Sequence, residues 1–135
     1  MVDLETEDEY TNTYVLNVTS QTWLDEGVMN RPIWWHYAVV IVPKQIRIPD
    51  AAMCLIVGWN NKESNDPGSV LTRSDTKRLT QYAAASGIVS VAVYQTPNQP
   101  ITFVNEPLEA IYSNGRKNHG CAMEKVMDSE GGQGG

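Results

Sequence analysis

Trp34 to Val42 reads Trp-Trp-His-Tyr-Ala-Val-Val-Ile-Val, and Met53 to Gly58 reads Met-Cys-Leu-Ile-Val-Gly. These two apolar runs decide the fold. They are rich in valine, isoleucine and aromatics and are bounded by Pro43 and by Pro49-Asp50, which suits strands buried on both faces better than strands that alternate. Burying each leucine, isoleucine or valine contributes roughly 1.5–3 kcal/mol, so the pair is the largest block of cohesive surface in the chain. The expectation is two neighbouring strands at the centre of one sheet, with Cys54 a buried thiol acting as a small hydrophobe. An Ile56→Asp change should then abolish folding, because it would bury an unpaired charge.

Working outward, Tyr14, Leu16 and Val18 alternate with Val15, Asn17 and Thr19, the period-two signature of a strand with one polar face. This strand reads as an edge. Asp25-Glu26-Gly27 reads as a turn, and Asn30-Arg31-Pro32 leads into the first apolar run. Further on, Leu79, Tyr82 and Ala83 share one face of a helix with Ser74 or Asp75 as N-cap and Gly87 as its stop. Ile88 to Tyr94 is another apolar strand, ended by Pro97-Asn98-Gln99-Pro100, so the order strand, helix, strand predicts a parallel crossover.

The flanks differ in character. Residues 1–12 carry Asp3, Glu5, Glu7, Asp8 and Glu9 without periodicity, an acidic, solvated lead-in rather than an export signal. The domain proper spans 13–108. Residues 109–135 diverge into a Gly-rich tail expected to be disordered.

Composition narrows the function classes. The 135 residues are 41% hydrophobic, enough for one domain with a real core. With 16 acidic against 10 basic residues and a net charge of −6, the chain offers no basic patch for nucleic acid. No apolar stretch reaches the length of a membrane span. Two cysteines make no disulfide framework. His119 and Cys121 lack the further ligands that zinc needs, so no metal is expected. The loop from Gly58 to Ser69 has neither G-x-x-x-x-G-K-[ST] nor G-x-G-x-x-G spacing, and no cofactor is expected. His36, alone among aromatics, reads as a satisfied core residue, and Trp34-Trp35 as core packing. Asn17-Val18-Thr19 is an acceptor pattern for N-glycosylation, which makes Asn17 a glycan candidate if the chain enters the secretory pathway and a chance occurrence if it does not.

Three stretches carry a resemblance. Tyr14 to Leu24, Arg31-Pro32-Ile33-Trp34-Trp35-His36-Tyr37 and Tyr94-Gln95-Thr96-Pro97-Asn98-Gln99-Pro100-Ile101 resemble, in this order, the PhoPQ-activated pathogenicity-related family, which includes autocrine proliferation repressor-like proteins. The resemblance implies an α/β-hydrolase-like fold and export from the cell. The fold class expected is therefore α/β: part of a mostly parallel hydrolase-like sheet of about four strands, with one crossover helix and a disordered tail. It also implies that Gly58 and Trp59 occupy the loop that builds part of an oxyanion hole, although family members usually have glycine where Trp59 stands.

A catalytic serine, acid and histidine would lie on later strands. The chain ends before them and contains no G-x-S-x-G, so no catalytic residue is assigned, and neither His36 nor His119 takes the base role by position. The expected function is that of a truncated, non-catalytic repressor-like protein. A hydrolase would need its missing half supplied, and a small secreted binding or signalling module is the third reading. In the hydrolase arrangement the strand Met53 to Val57 has an open edge, which invites a protein partner or self-association.

Overall fold

Valine, isoleucine, threonine and aromatic residues are concentrated in a few segments of the first hundred residues, and their β-branched and aromatic content makes these segments strands. The computed structural model describes residues 1–62 and 65–104. Its elements are β1 (Val2–Glu7), β2 (Thr11–Thr22), β3 (Ile33–Pro43), β4 (Ala52–Ile56), α1 (Pro67–Leu71), α2 (Ser74–Ser86) and β5 (Val89–Val93). The strands form one five-stranded sheet in the order β1-β2-β3-β5-β4.

The expected mostly parallel, hydrolase-like sheet of four strands is incorrect. β1–β2, β2–β3 and β3–β5 run antiparallel, and only β4–β5 runs parallel. Connection length supplies the reason. Residues 8–10 and 23–32 are too few to carry a crossover helix back along the sheet, so β1, β2 and β3 fold as a meander. Only the segment between β4 and β5, which contains α1 and α2, is long enough for a parallel return.

Three placements change with that topology. The acidic lead-in is strand β1, paired from Val2 opposite Leu16 to Glu7 opposite Asn12. β2 therefore lies inside the sheet instead of at its edge. β4 is not a central neighbour of β3, because β5 stands between them and β4 forms the far edge. Helix α2 packs over β5 and β3 but not over β4, leaving an open cleft of about 220 Å³ beside Met53 and Leu55. Ile56 is consequently 59% exposed, and Cys54 is exposed instead of buried.

One sheet face is covered by the helices. Val15 of β2, Tyr37, Val39 and Ile41 of β3, and Ala92 of β5 pack with Val70, Leu79 and Ala83 of the helices. The alternate positions, such as Leu16, Val40 and Val93, are only half-buried. α2 begins after Arg73, which makes no side-chain cap, so neither Ser74 nor Asp75 is the N-cap; Asp75 instead sits in the first turn, where a carboxylate favours the positive helix end. Its inward face is Thr76, Leu79 and Ala83, with Tyr82 turned outward. Gly87 ends it at φ 72°, as the sequence predicts.

A second small core joins Met29, Ile101 and Phe103 with Trp23 and Leu24. It ties the segment after β5 to the β2–β3 connection through Asn30 N–H to Thr102 O (3.0 Å) and Val104 N–H to Val28 O (2.8 Å). The expected tail, with His119 and Cys121, lies outside the described residues.

Candidate functional site

Parallel neighbours deliver their carboxyl-terminal loops to the same end of a sheet, and such ends commonly hold ligands. β4 and β5 do this here. The loop after β4 starts at Gly58 and the loop after β5 runs through residues 95–100, and they join where Asn61 N–H donates to Gln99 O at 2.7 Å.

Side chains then lock the junction. Asn61 is wholly buried, and its Nδ2 donates to Asn98 Oδ1 at 2.8 Å. Asn98 Nδ2 donates in turn to the Trp35 carbonyl. Arg31 Nη1 donates to both the backbone O and Oδ1 of Asn61, at 2.7 and 3.0 Å. Buried amides need such partners, since an unpaired one costs roughly 1–3 kcal/mol. Arg31, Trp35, Asn61 and Asn98 line an open depression of about 240 Å³ together with Glu26, Pro32 and Ile33. It offers a guanidinium, an indole and a carboxylate, which are groups for binding.

Further polar contacts lie on both faces of the sheet near these loops. Gln95 is buried at φ 62°, and its Oε1 accepts Tyr37 N–H at 2.8 Å. His36 Nδ1 lies 3.0 Å from the Tyr94 carbonyl, while its Nε2 lies 2.8 Å from Ser20 Oγ. Tyr94 is wholly buried, and its hydroxyl meets Thr76 Oγ1 at 2.6 Å. Thr76 directs its proton to Val70 O at 2.7 Å, so Tyr94 is the donor. Tyr37 directs its hydroxyl to Asn65 O at 3.2 Å, and its burial, with Asp3 and Asp66 nearby, raises its pKa.

The residues singled out in the sequence fall into place unevenly. Gly58 is exposed, with open space where a Cβ would stand. Trp59 turns inward, edge-on to Tyr94 at 6.0 Å, with the Arg73 guanidinium 5.0 Å from its ring. That contact makes Trp59 a packing residue of the α1–α2 junction. Asn17 is exposed on β2, opposite Tyr37 in register. His36 is buried in the aromatic run with both ring nitrogens in hydrogen-bond contact, and Trp34 and Trp35 pack edge-on against Trp23 and Tyr37. Among the described residues no group of His, Cys, Asp and Glu is arranged to hold a metal ion.

Arg31, Asn61, Asn98 and Ser20 were not assigned from sequence. Asn61 and Asn98 do stand in loops that follow strands, and recognising those strands as parallel neighbours identifies the pair. No spacing rule links Ser20 to His36.

Residues 2–111 match the family described as PhoPQ-activated pathogenicity-related protein. The chain belongs to that family. Autocrine proliferation repressor protein A of Dictyostelium discoideum is 33% identical over 96 residues, covering 71% of this chain and 18% of that protein. The PhoPQ-related chain thus spans less than a fifth of the length of this curated relative. No solved structure matches it. Two of the stretches that carry the family resemblance supply much of the site, while Asn61 comes from the loop after β4. Arg31, Trp35 and His36 come from one, and Tyr94, Gln95 and Asn98 from the other.

Among the described residues no helix of this PhoPQ-related chain is long and apolar enough to cross a membrane.

Proposed function

We propose that the chain acts as a non-catalytic portion of a proliferation-repressor-like protein, working outside the cell by contact with other protein surface. The observation that carries this reading is the 33% identity to a protein named as an autocrine proliferation repressor. The chemistry of the loop junction supports it. The Asn61 side chain is engaged by Asn98 and Arg31, the Asn98 amide donates to the Trp35 carbonyl, and the depression beside them presents Arg31, Trp35 and Glu26 with no hydroxyl or thiol among its lining residues. Groups of this kind recognise a partner; acyl transfer would need a nucleophile and a base among them.

The edge strand β4 supports a role within a longer protein. Its five residues, Ala52–Ile56, include no charge or proline that would blunt pairing, and the relative extends far beyond the matched segment. A further strand from that remaining length is the occupant we assign to the edge. The exposed Asn17-Val18-Thr19 sequon suits export, where it would carry a glycan.

The test is a growth assay. Purified chain added to dividing Dictyostelium discoideum cells should slow the rise in cell number in proportion to dose, and heat-unfolded chain should not. Equal growth with folded, unfolded and no added chain would remove the repressor reading.

A further inference from the structure

Ser20 stands where β2 slips register against β3, between Thr19 and Gln21, and its side chain is exposed. Its Oγ lies 2.8 Å from His36 Nε2. His36 itself is only 8% exposed, and its Nδ1 lies 3.0 Å from the Tyr94 carbonyl. A backbone carbonyl can only accept, so Nδ1 carries the ring proton. In the neutral ring Nε2 is then a lone pair, and the Ser20 hydroxyl is the donor. The other acceptor within reach, the Trp34 carbonyl, is farther away at 3.4 Å.

An exposed hydroxyl, a base within hydrogen-bond reach and a third group orienting that base are the parts of an activated nucleophile. The third group fixes the tautomer that leaves Nε2 free to accept. We propose that Ser20 is a covalent acyl-acceptor site for small esters with a good leaving group, with His36 as its general base.

The step balances without a further reactant. Ser20 Oγ attacks the ester carbonyl carbon as His36 Nε2 takes the hydroxyl proton. The tetrahedral intermediate collapses with loss of the alkoxide or phenoxide, which receives that proton from Nε2. The products are an ester of Ser20 and a free alcohol or phenol.

The geometry favours capture over turnover. The orienting group is a neutral carbonyl, which stabilises the imidazolium less than the carboxylate of a hydrolase triad. This keeps the site compatible with a non-catalytic protein, and it does not depend on the repressor reading.

The experiment is acetylation of the purified chain by p-nitrophenyl acetate, followed site by site through peptide mass spectrometry. Ser74, exposed at the start of α2, is the internal reference. Ser20 should be acetylated roughly a hundredfold faster than Ser74, the low end of what a positioned general base supplies. Ser20→Ala should remove that modification. His36→Gln, checked for folding by amide-exchange protection of Val39 and Ile41, should bring Ser20 down to the Ser74 rate while Ser74 is unchanged. Equal rates at the two serines in the parent chain would overturn the proposal, as would unchanged Ser20 labelling in folded His36→Gln. If that variant does not fold, the parent ratio of Ser20 to Ser74 decides alone.

Discussion

The side-chain amide of Asn61 donates to Oδ1 of Asn98 at 2.8 Å, and the two residues are 0% and 1% exposed. They lie 37 positions apart, in loops that only the parallel pairing of β4 with β5 brings together. This contact and its extensions to Arg31 and the Trp35 carbonyl hold the loop ends of the sheet in one conformation.

Asn98→Ala leaves the buried Asn61 amide and the Trp35 carbonyl without this partner. Each orphaned group costs roughly 1–3 kcal/mol. Urea unfolding should show a loss of at least that size. A midpoint equal to the parent's would mean that the network contributes nothing to the fold.

Ile41 and Ile56 should respond oppositely to charge. Ile41 is 0% exposed beneath the helices, so Ile41→Asp should cost roughly 4 kcal/mol or more and prevent soluble expression. Ile56 is 59% exposed on the edge strand, and Ile56→Asp should stay within about 1 kcal/mol of the parent. The sequence expectation that Ile56→Asp abolishes folding is replaced by this one. Solubility and thermal midpoints of the two variants check the pair together.

Gly87 ends α2 at φ 72°, and its carbonyl accepts Arg47 N–H at 2.9 Å. A Cβ there would stand 2.9 Å from that backbone nitrogen and 2.6 Å from Arg47 Cγ. Gly87→Ala should therefore cost more than the roughly 1–2 kcal/mol of the left-handed backbone alone. Gly58→Ala has open space and serves as the mild control in the same unfolding series.

Asp8 closes the β1–β2 turn. Its Oδ1 accepts Tyr10 N–H and Thr11 N–H, both at 2.7 Å, and Oδ2 accepts the Thr11 hydroxyl at 3.0 Å. The Tyr10 amide is the main cause holding the carboxyl below the ordinary aspartate value; burial opposes it, and Thr11 and Lys44 add to it. A depressed folded pKa contributes stability above the unfolded value, and that contribution is lost as pH falls through the folded value. Asp8→Asn should accordingly flatten the acid limb of the stability profile and be less stable than the parent at neutral pH. Denaturant midpoints across the acid range give the slope.

Much of the local structure was legible in the residues. Tyr14 to Val18, Trp34 to Val42 and Ile88 to Tyr94 announce strands by their period and β-branched content, and Gly87 announces the end of α2. These signals are local: backbone conformation and side-chain alternation depend on neighbours within a few residues. The family was legible too, because Arg31 to Tyr37 and Tyr94 to Ile101 are specific words of sequence.

What the sequence could not determine was which strands become neighbours. An apolar run such as Met53 to Val57 reads the same in the centre of a sheet or at an edge. Its exposure followed from β5 inserting beside β3, and from α2 lying over β5 and not over β4. Acidic Val2–Glu7 reads as solvated and is mostly exposed, yet hydrogen-bonding to β2 makes it a strand. The site divides in the same way. The sequence determined that Asn61, Asn98, Ser20 and His36 were available in loops and strands. Only the tertiary structure decided that they meet, because antiparallel and parallel pairings place residues far apart in the chain within a hydrogen bond of one another.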